Sequence, residues 1–325
     1  MAAHRIDVQH HILPPDYVRI VGEERIGPLM VSGRTPAWSP EISLEAMERN
    51  GIAIAVTSIS APGLWFGDAG QARELARACN EYAAGLRRRF PGRFGLFASL
   101  PLPDVAASLD EIAYALDVLQ ADGICLMTNY GGRYPGEPEF APIFEELDRR
   151  GAVAFFHPCT GPGPLVPPGI PAATLEFPFD TTRAVTHLLF SGVLARHRRM
   201  RCIFSHAGGA VPFLAQRIAR LERRPEFREK VPEGVMPELR RLYFDVALSA
   251  NPLAFGPMLQ VIPPEQVLFA SDYPFAPEDT MTATVRGLDA LRLDPAVLAG
   301  IERGNALRLL PGLAAPAAGG APAAG

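Results

Sequence analysis

Eight short apolar runs recur along the chain, near residues 6, 54, 97, 125, 154, 203, 244 and 268. The run over 52–58, Ile-Ala-Ile-Ala-Val-Thr-Ser, is continuous, the pattern of a strand covered on both faces. Between the runs, apolar residues fall at helical spacing; over 69–90, Leu75, Cys79, Tyr82 and Leu86 share one stripe. The pattern predicts strands at 5–9, 52–58, 94–100, 123–127, 152–156, 201–205, 242–246 and 266–270. Helices are expected over 43–50, 69–90, 105–120, 142–150, 181–196, 211–223, 252–261, 280–292 and 295–309. Ser43, Asp104 and Asp180 stand where they can cap three of these.

Strand-then-helix alternation argues for parallel strands joined by helical crossovers. Eight such units over roughly 300 residues predict an α/β fold, a single-domain (β/α)8 TIM barrel with loop insertions. No Gly-rich fingerprint follows the first strand, which argues against a dinucleotide-binding sheet. The barrel is expected to span 1–310. The tail over 311–325, almost wholly Pro, Ala, Gly and Leu, has too little apolar surface to fold and is expected to be disordered. Two Pro- and Gly-rich stretches, 16–40 and 160–178, are long for structureless connections and are expected to be lids or binding loops.

Composition adds mainly exclusions. A formal net charge of -4 and a pI near 6.0 leave no basic footprint for nucleic acid. No run of 18 apolar residues is present, so no membrane partner is expected. The N-terminal Met1-Ala2-Ala3-His4-Arg5 lacks an apolar signal core. Cys79, Cys125, Cys159 and Cys202 are scattered, which fits a reduced, cytoplasmic setting better than a disulfide framework.

In such a barrel, chemistry sits at the C-terminal ends of the strands. Strand one ends in Gln9-His10-His11; Gln9 and His11 share one face, and His10 takes the other. Strand five ends in His157, strand six in His206 and strand eight in Asp272, with Thr57, Ser58, Asn129 and Asp245 at other ends. Imidazoles and a carboxylate converging on one rim form the ligand set of Zn²⁺ or a similar divalent ion. Asp245 is either a partner orienting one of those imidazoles or an internal hydrogen-bond acceptor. His187 and His197 have no assigned role.

Five stretches carry a resemblance: Thr128-Asn129-Tyr130-Gly131-Gly132, Phe156-His157-Pro158, 177–182 (Phe-Pro-Phe-Asp-Thr-Thr), 205–212 (Ser-His-Ala-Gly-Gly-Ala-Val-Pro) and Ser271-Asp272-Tyr273-Pro274. In order and spacing the chain resembles the amidohydrolase superfamily, in its branch of metal-dependent decarboxylases like amino-carboxymuconate-semialdehyde decarboxylase. Within that branch it looks most similar to 6-methylsalicylate decarboxylase-like proteins. The resemblance implies a metal held by His11, His157 and Asp272, with the first member of a His-x-His pair replaced here by Gln9. It implies that His206 is an acid/base rather than a ligand. It also implies that Arg217 reaches the neighbouring subunit's site to clamp a carboxylate, which makes a homodimer the expected form.

An amide oxygen at position 9 is a weaker, harder donor than imidazole, which shifts the expected ion towards Mn²⁺ or a loosely held Zn²⁺. The expected reaction is non-oxidative decarboxylation of a small aromatic carboxylic acid. His206 or Asp272 would supply the proton to the ring, and Asn129 and Phe177 would contact the substrate. Trp38, Trp65, Phe66 and Phe177 could wall a ring pocket. Two other readings use the same residues: metal-assisted hydrolysis of a lactone, ester or amide, and a metal-poor barrel that binds an aromatic acid without turning it over.

Overall fold

A computed structural model describes residues 3–161 and 169–314. Eight parallel strands stand side by side in sequence order. They are β1 (Arg5–His11), β2 (Ile52–Ser58), β3 (Phe94–Ser99), β4 (Gly123–Met127), β5 (Val153–His157), β6 (Arg201–Phe204), β7 (Tyr243–Asp245) and β8 (Val267–Leu268). Main-chain bonds bring β8 back to β1: Val8 N–H to the Phe269 carbonyl at 3.0 Å, Asp272 N–H to that of Gln9 at 2.9 Å, and His11 N–H to that of Tyr273 at 2.7 Å. The result is the predicted TIM barrel.

The interior is set by large side chains. Phe97 of β3 and Phe155 of β5 stack at 5.3 Å across β4, where a Cβ on Gly123 would stand 3.0 Å from the Phe97 ring. Phe156 and Phe204 stack at 4.6 Å on the opposite face. All four rings are buried, each contributing about 1.5–3 kcal/mol of apolar burial. Because strand side chains alternate, Phe155 facing inward puts His157 inward too, one pleat nearer the mouth.

Several boundaries differ from expectation. The helix expected from Ser43 is Pro40–Arg49, capped by Ser39, whose hydroxyl accepts from Ile42 N–H at 3.2 Å. Ser43 is buried inside it. The helix expected from 181 is Ala172–Phe190, with Pro178 in its interior, so Asp180 is a mid-helix residue and not a cap. The expected Asp104 cap is present, accepting from Ala107 N–H at 3.1 Å. The stretch 16–40 carries helices Pro15–Val21 and Glu23–Ile26. The start of the predicted tail, Pro311–Ala314, is a helical turn with Leu313 packed on the core. Residues 315–325 of that tail and 162–168 of the second loop lie outside the described residues.

β1 divides its side chains between two environments. Asp7, wholly buried, accepts from the N–H groups of Gln9 (3.2 Å) and Ser271 (3.0 Å) and from the Ser271 hydroxyl (2.5 Å). His10 Nδ1 lies 3.0 Å from Asp7 Oδ2, and its Nε2 lies 2.6 Å from the Ser43 hydroxyl. His10 therefore faces away from the mouth and ties β1 to the helix over it.

Candidate metal centre

Gln9, His11, His157, His206 and Asp272 converge on one point at the mouth. His11 Nε2 lies 3.0 Å from Asp272 Oδ1, His157 Nε2 lies 3.8 Å from the same oxygen, and His206 Nε2 lies 3.4 Å from Oδ2. One ligand atom each from His11, His157 and Asp272 fall within 4.8 Å of one another. Tetrahedral zinc with bonds near 2.0–2.1 Å separates its donors by roughly 3.3 Å; the 3.0 and 3.8 Å separations bracket that spacing. The donor set of two imidazoles and a carboxylate fits a divalent ion.

The outer nitrogen of each of these two imidazoles is occupied. His157 Nδ1 lies 2.8 Å from the Pro158 carbonyl, to which it donates, and His11 Nδ1 lies 3.0 Å from the Ser58 hydroxyl. Such partners fix the tautomer and aim Nε2 at the cluster. Phe275 packs edge-on to His11 at 5.5 Å and Phe177 edge-on to His157 at 6.2 Å.

Gln9 presents its amide nitrogen to the cluster: Nε2 donates to Asp272 Oδ1 at 2.7 Å and lies 3.1 Å from His206 Nε2. Its Oε1 is buried and has no partner among the described residues. Ligation through that oxygen requires the amide to turn over.

The electrostatics separate the roles. Burial pushes His157 down to about 4, so it is a neutral imidazole with a lone pair at neutral pH. Burial would raise Asp272, but the His11, His157 and His206 imidazoles gathered around it outweigh burial and hold the carboxyl well below its usual range. Burial would lower His206, yet the bond to and charge of Asp272 prevail and raise it. Asp245 is pushed up to about 7 by burial. Backbone strain collects here as well: His206, Ala207 and Asp272 have φ of +54°, +56° and +63°, a conformation costing roughly 1–2 kcal/mol for each residue with a side chain.

Among the loops that follow β2 to β5 opens a cavity of about 480 Å³ walled by Leu64, Trp65, Phe66, Leu100 and Met127; none of the five cluster residues lines it, and Cys159, two residues beyond His157, is the wall residue nearest them in sequence. Trp65 and Phe66 are thus in the wall as expected, whereas Trp38 packs against Tyr82 at 6.2 Å. Asn129 also lines the cavity, but its Nδ2 donates to Asp180 Oδ2 at 2.7 Å and its Oδ1 accepts from Gly132 N–H at 3.1 Å. Arg217 is exposed on helix Val211–Ala219 and lines neither the cavity nor the cluster.

Residues that sequence reasoning left without a role include Arg25 in the cavity wall and Phe275 against His11. Asp7 was likewise unassigned, its N-terminal place in β1 giving no sign that it reaches Ser271.

A family model described as Amidohydrolase matches residues 6–312. The 6-methylsalicylic acid decarboxylase of Penicillium expansum is 37% identical over 316 residues, covering 95% of this chain and 97% of that protein. Decarboxylase yanB of Aspergillus niger is 37% identical over 334 residues, covering 96% of this chain and 89% of its own length. Among solved structures, a 5-carboxyvanillate decarboxylase of Novosphingobium aromaticivorans, complexed with manganese and a nitrobenzoic acid, superposes with a TM-score of 0.85. It is 21% identical and covers 95% of this chain and 96% of its own.

Proposed function

The chain belongs to the amidohydrolase family, and we propose that it removes CO2 non-oxidatively from an aromatic acid of the 6-methylsalicylate type. The enzyme is a carboxy-lyase that uses a divalent metal. His11, His157 and Asp272 hold the ion, with Gln9 beside them as hydrogen-bond donor or, amide turned, as a further oxygen ligand. An ion bound there would supply Lewis-acid polarisation of the substrate. The Asp272 carboxylate, with an amide oxygen from position 9 in place of an imidazole, makes a harder set that favours Mn²⁺ or a loosely held Zn²⁺.

One observation carries the assignment of roles: His206 Nε2 lies 3.4 Å from Asp272 Oδ2, with its pKa raised, while the Asp272 carboxyl is kept ionised. His206 is therefore the group whose protonated form is favoured beside an ionised Asp272, the Gln9 amide turning Oε1 towards that proton, and we assign His206 as the general acid. It delivers that proton to the ring carbon bearing the carboxylate. The carbon–carboxylate bond then breaks, its electron pair returns to the ring, and CO2 departs. From 6-methylsalicylate the product is 3-methylphenol. Phe177 and Phe275 keep water from the two ligand imidazoles, and the apolar wall of Leu64, Trp65 and Phe66 takes the ring face. Asn129, its amide already bonded, shapes that wall.

A homodimer is the proposed working form. Phe213 and Leu253 are 85% and 89% exposed on two helices that pack together, and Arg217 stands one turn beyond Phe213. Packed against a second copy, that face would carry Arg217 towards the partner's mouth, where its planar fork suits a carboxylate. Light scattering should give a dimer mass for the wild type and a monomer mass for Phe213→Glu. The four cysteines, all buried and free, fit the cytoplasmic compartment proposed for the chain.

The deciding experiment incubates metal-loaded protein with 6-methylsalicylate and, separately, with a lactone panel, following CO2, 3-methylphenol and acid. Equimolar CO2 and 3-methylphenol is the expected result. Acid release from lactones without CO2 from the aromatic acid would instead make it a hydrolase.

A further inference from the structure

We propose that Asp245 is a positioning residue for His206, holding the turn that aims the imidazole at Asp272 by accepting the His206 main-chain N–H; the proposal rests on His206 being the general acid. β6 is followed by four successive residues of positive φ: His206 (+54°), Ala207 (+56°), Gly208 (+70°) and Gly209 (+65°). The two glycines are wedged. A Cβ on Gly208 would stand 2.6 Å from the Phe244 ring, and one on Gly209 would stand 2.1 Å from the Pro178 carbonyl oxygen. The far end of the turn is thus fixed by shape, between β7 and helix Ala172–Phe190.

The near end, where His206 sits, is fixed by a hydrogen bond. His206 N–H donates to Asp245 Oδ1 at 2.9 Å, and Ala247 N–H donates to the same oxygen at 3.1 Å. Asp245 is wholly buried on β7. One carboxylate oxygen therefore joins the turns after β6 and β7.

The ring of His206 differs from those of His11 and His157, whose Nδ1 atoms are held by Ser58 and the Pro158 carbonyl. His206 Nδ1 has no partner among the described residues. Among the described residues no hydrogen bond holds the ring at Nδ1, so its aim depends on where the main chain puts its Cα. An acceptor on that N–H is how a residue in a disfavoured conformation is kept there.

The test compares Asp245→Ala, which removes the acceptor, with Asp245→Asn, which keeps an Oδ1 at the same reach. D245A should lower kcat on the order of 30–100-fold, the effect of misplacing a reacting group, with KM and metal content unchanged. D245N should retain most of the wild-type kcat. In a His206→Asn background, D245A should cause no further loss, because a residue acting through His206 has nothing left to act on.

An equal D245A loss in that background, or a D245N loss as large as that of D245A, overturns the proposal. Should D245A not fold, Asp245→Ser, too short to reach the N–H, takes its place. Wild-type protein that releases no CO2 counts against the decarboxylase reading alone. In that case a crystal structure of D245A decides: an imidazole displaced from Asp272 supports the proposal, and an unmoved one overturns it.

Discussion

Ser58→Ala is the sharpest probe of the metal centre, because it leaves every proposed ligand in place and removes a single atom. The Ser58 hydroxyl, 1% exposed, stands 3.0 Å from His11 Nδ1. With the hydroxyl accepting from Nδ1–H, the His11 lone pair points from Nε2 towards Asp272. Without it, the imidazole is no longer held to one tautomer, and the one carrying its proton on Nε2 cannot ligate. Losing such an outer partner typically costs about 10–100-fold in metal affinity, or ~1.4–2.7 kcal/mol. The cost to the fold is about 1 kcal/mol, that of one buried hydrogen bond, so metal affinity should fall while the urea midpoint shifts little. Competition with a fluorescent chelator, run for both Zn²⁺ and Mn²⁺, measures the change. Ser58→Thr, which keeps the hydroxyl, should retain near wild-type affinity. A dissociation constant for S58A within two-fold of wild type would refute the reasoning, because His11 would then not bind through an Nε2 set up by Ser58.

Further outcomes follow from the same geometry. Gln9→His replaces an amide with an imidazole facing the cluster and should tighten Zn²⁺ retention through gel filtration; unchanged retention would mean that position 9 does not reach the ion. His157→Ala and Asp272→Ala should each abolish retention by elemental analysis, while His206→Ala keeps the ion and loses turnover; metal loss in that last variant would make His206 a ligand. The metal-free protein should also show opposing pH effects. Asp245, raised from 3.8 to about 7, contributes stability that is full below its unfolded pKa and lost as pH rises to about 7. His157, lowered from 6.5 to about 4, contributes stability that is present above 6.5 and lost as pH falls to about 4. Each effect has a slope of at most ~1.4 kcal/mol per pH unit, and the two largely cancel in between. Asp245→Asn removes the first, so its urea midpoint should climb from pH 4 to 6.5 relative to wild type. Parallel curves for the two proteins would contradict the assigned shifts.

The barrel was legible because its signal is repeated. Eight apolar runs separated by helical stripes leave few topologies, and an error in one boundary does not move the rest. The rim was legible for a related reason: polar residues that end apolar runs must lie at the mouth once the strands are parallel. What escaped was whatever depended on contacts distant in sequence or on a broken local rule. Pro178 reads as a helix boundary because proline normally removes an intrahelical bond, yet it sits inside Ala172–Phe190. Asp180, taken for a cap, instead accepts from Thr128, Asn129 and Tyr134 and so fixes the β4 loop. Arg25 lay in a stretch read as irregular. The helix that carries it is four residues long and has no side-chain cap, so neither periodicity nor capping could mark it.

The pair His10-His11 shows how one strand serves both the fold and the site. β8 has only two ladder residues, Val267–Leu268, so the β8–β1 ladder alone does not set where Asp272 stands. Its place is set instead by β1, whose Gln9 carbonyl accepts the Asp272 N–H and whose Asp7 carboxylate accepts both the N–H and the hydroxyl of Ser271. Asp7 is in turn braced by His10, and His10 by Ser43. Asp7, braced by His10, thus closes the barrel at this seam, and that closure fixes the 3.0 Å between His11 Nε2 and Asp272 Oδ1. His157, on the opposite wall, is placed independently by the β4–β5 ladder, in which it stands beside Met127. The cluster is therefore assembled from two rigid parts, and its geometry depends on closure at one seam. The paired register of β1, with polar residues on both faces, belongs to that seam, and Gln9 sits where the two parts meet, bonded to Asp272 and in contact with His206.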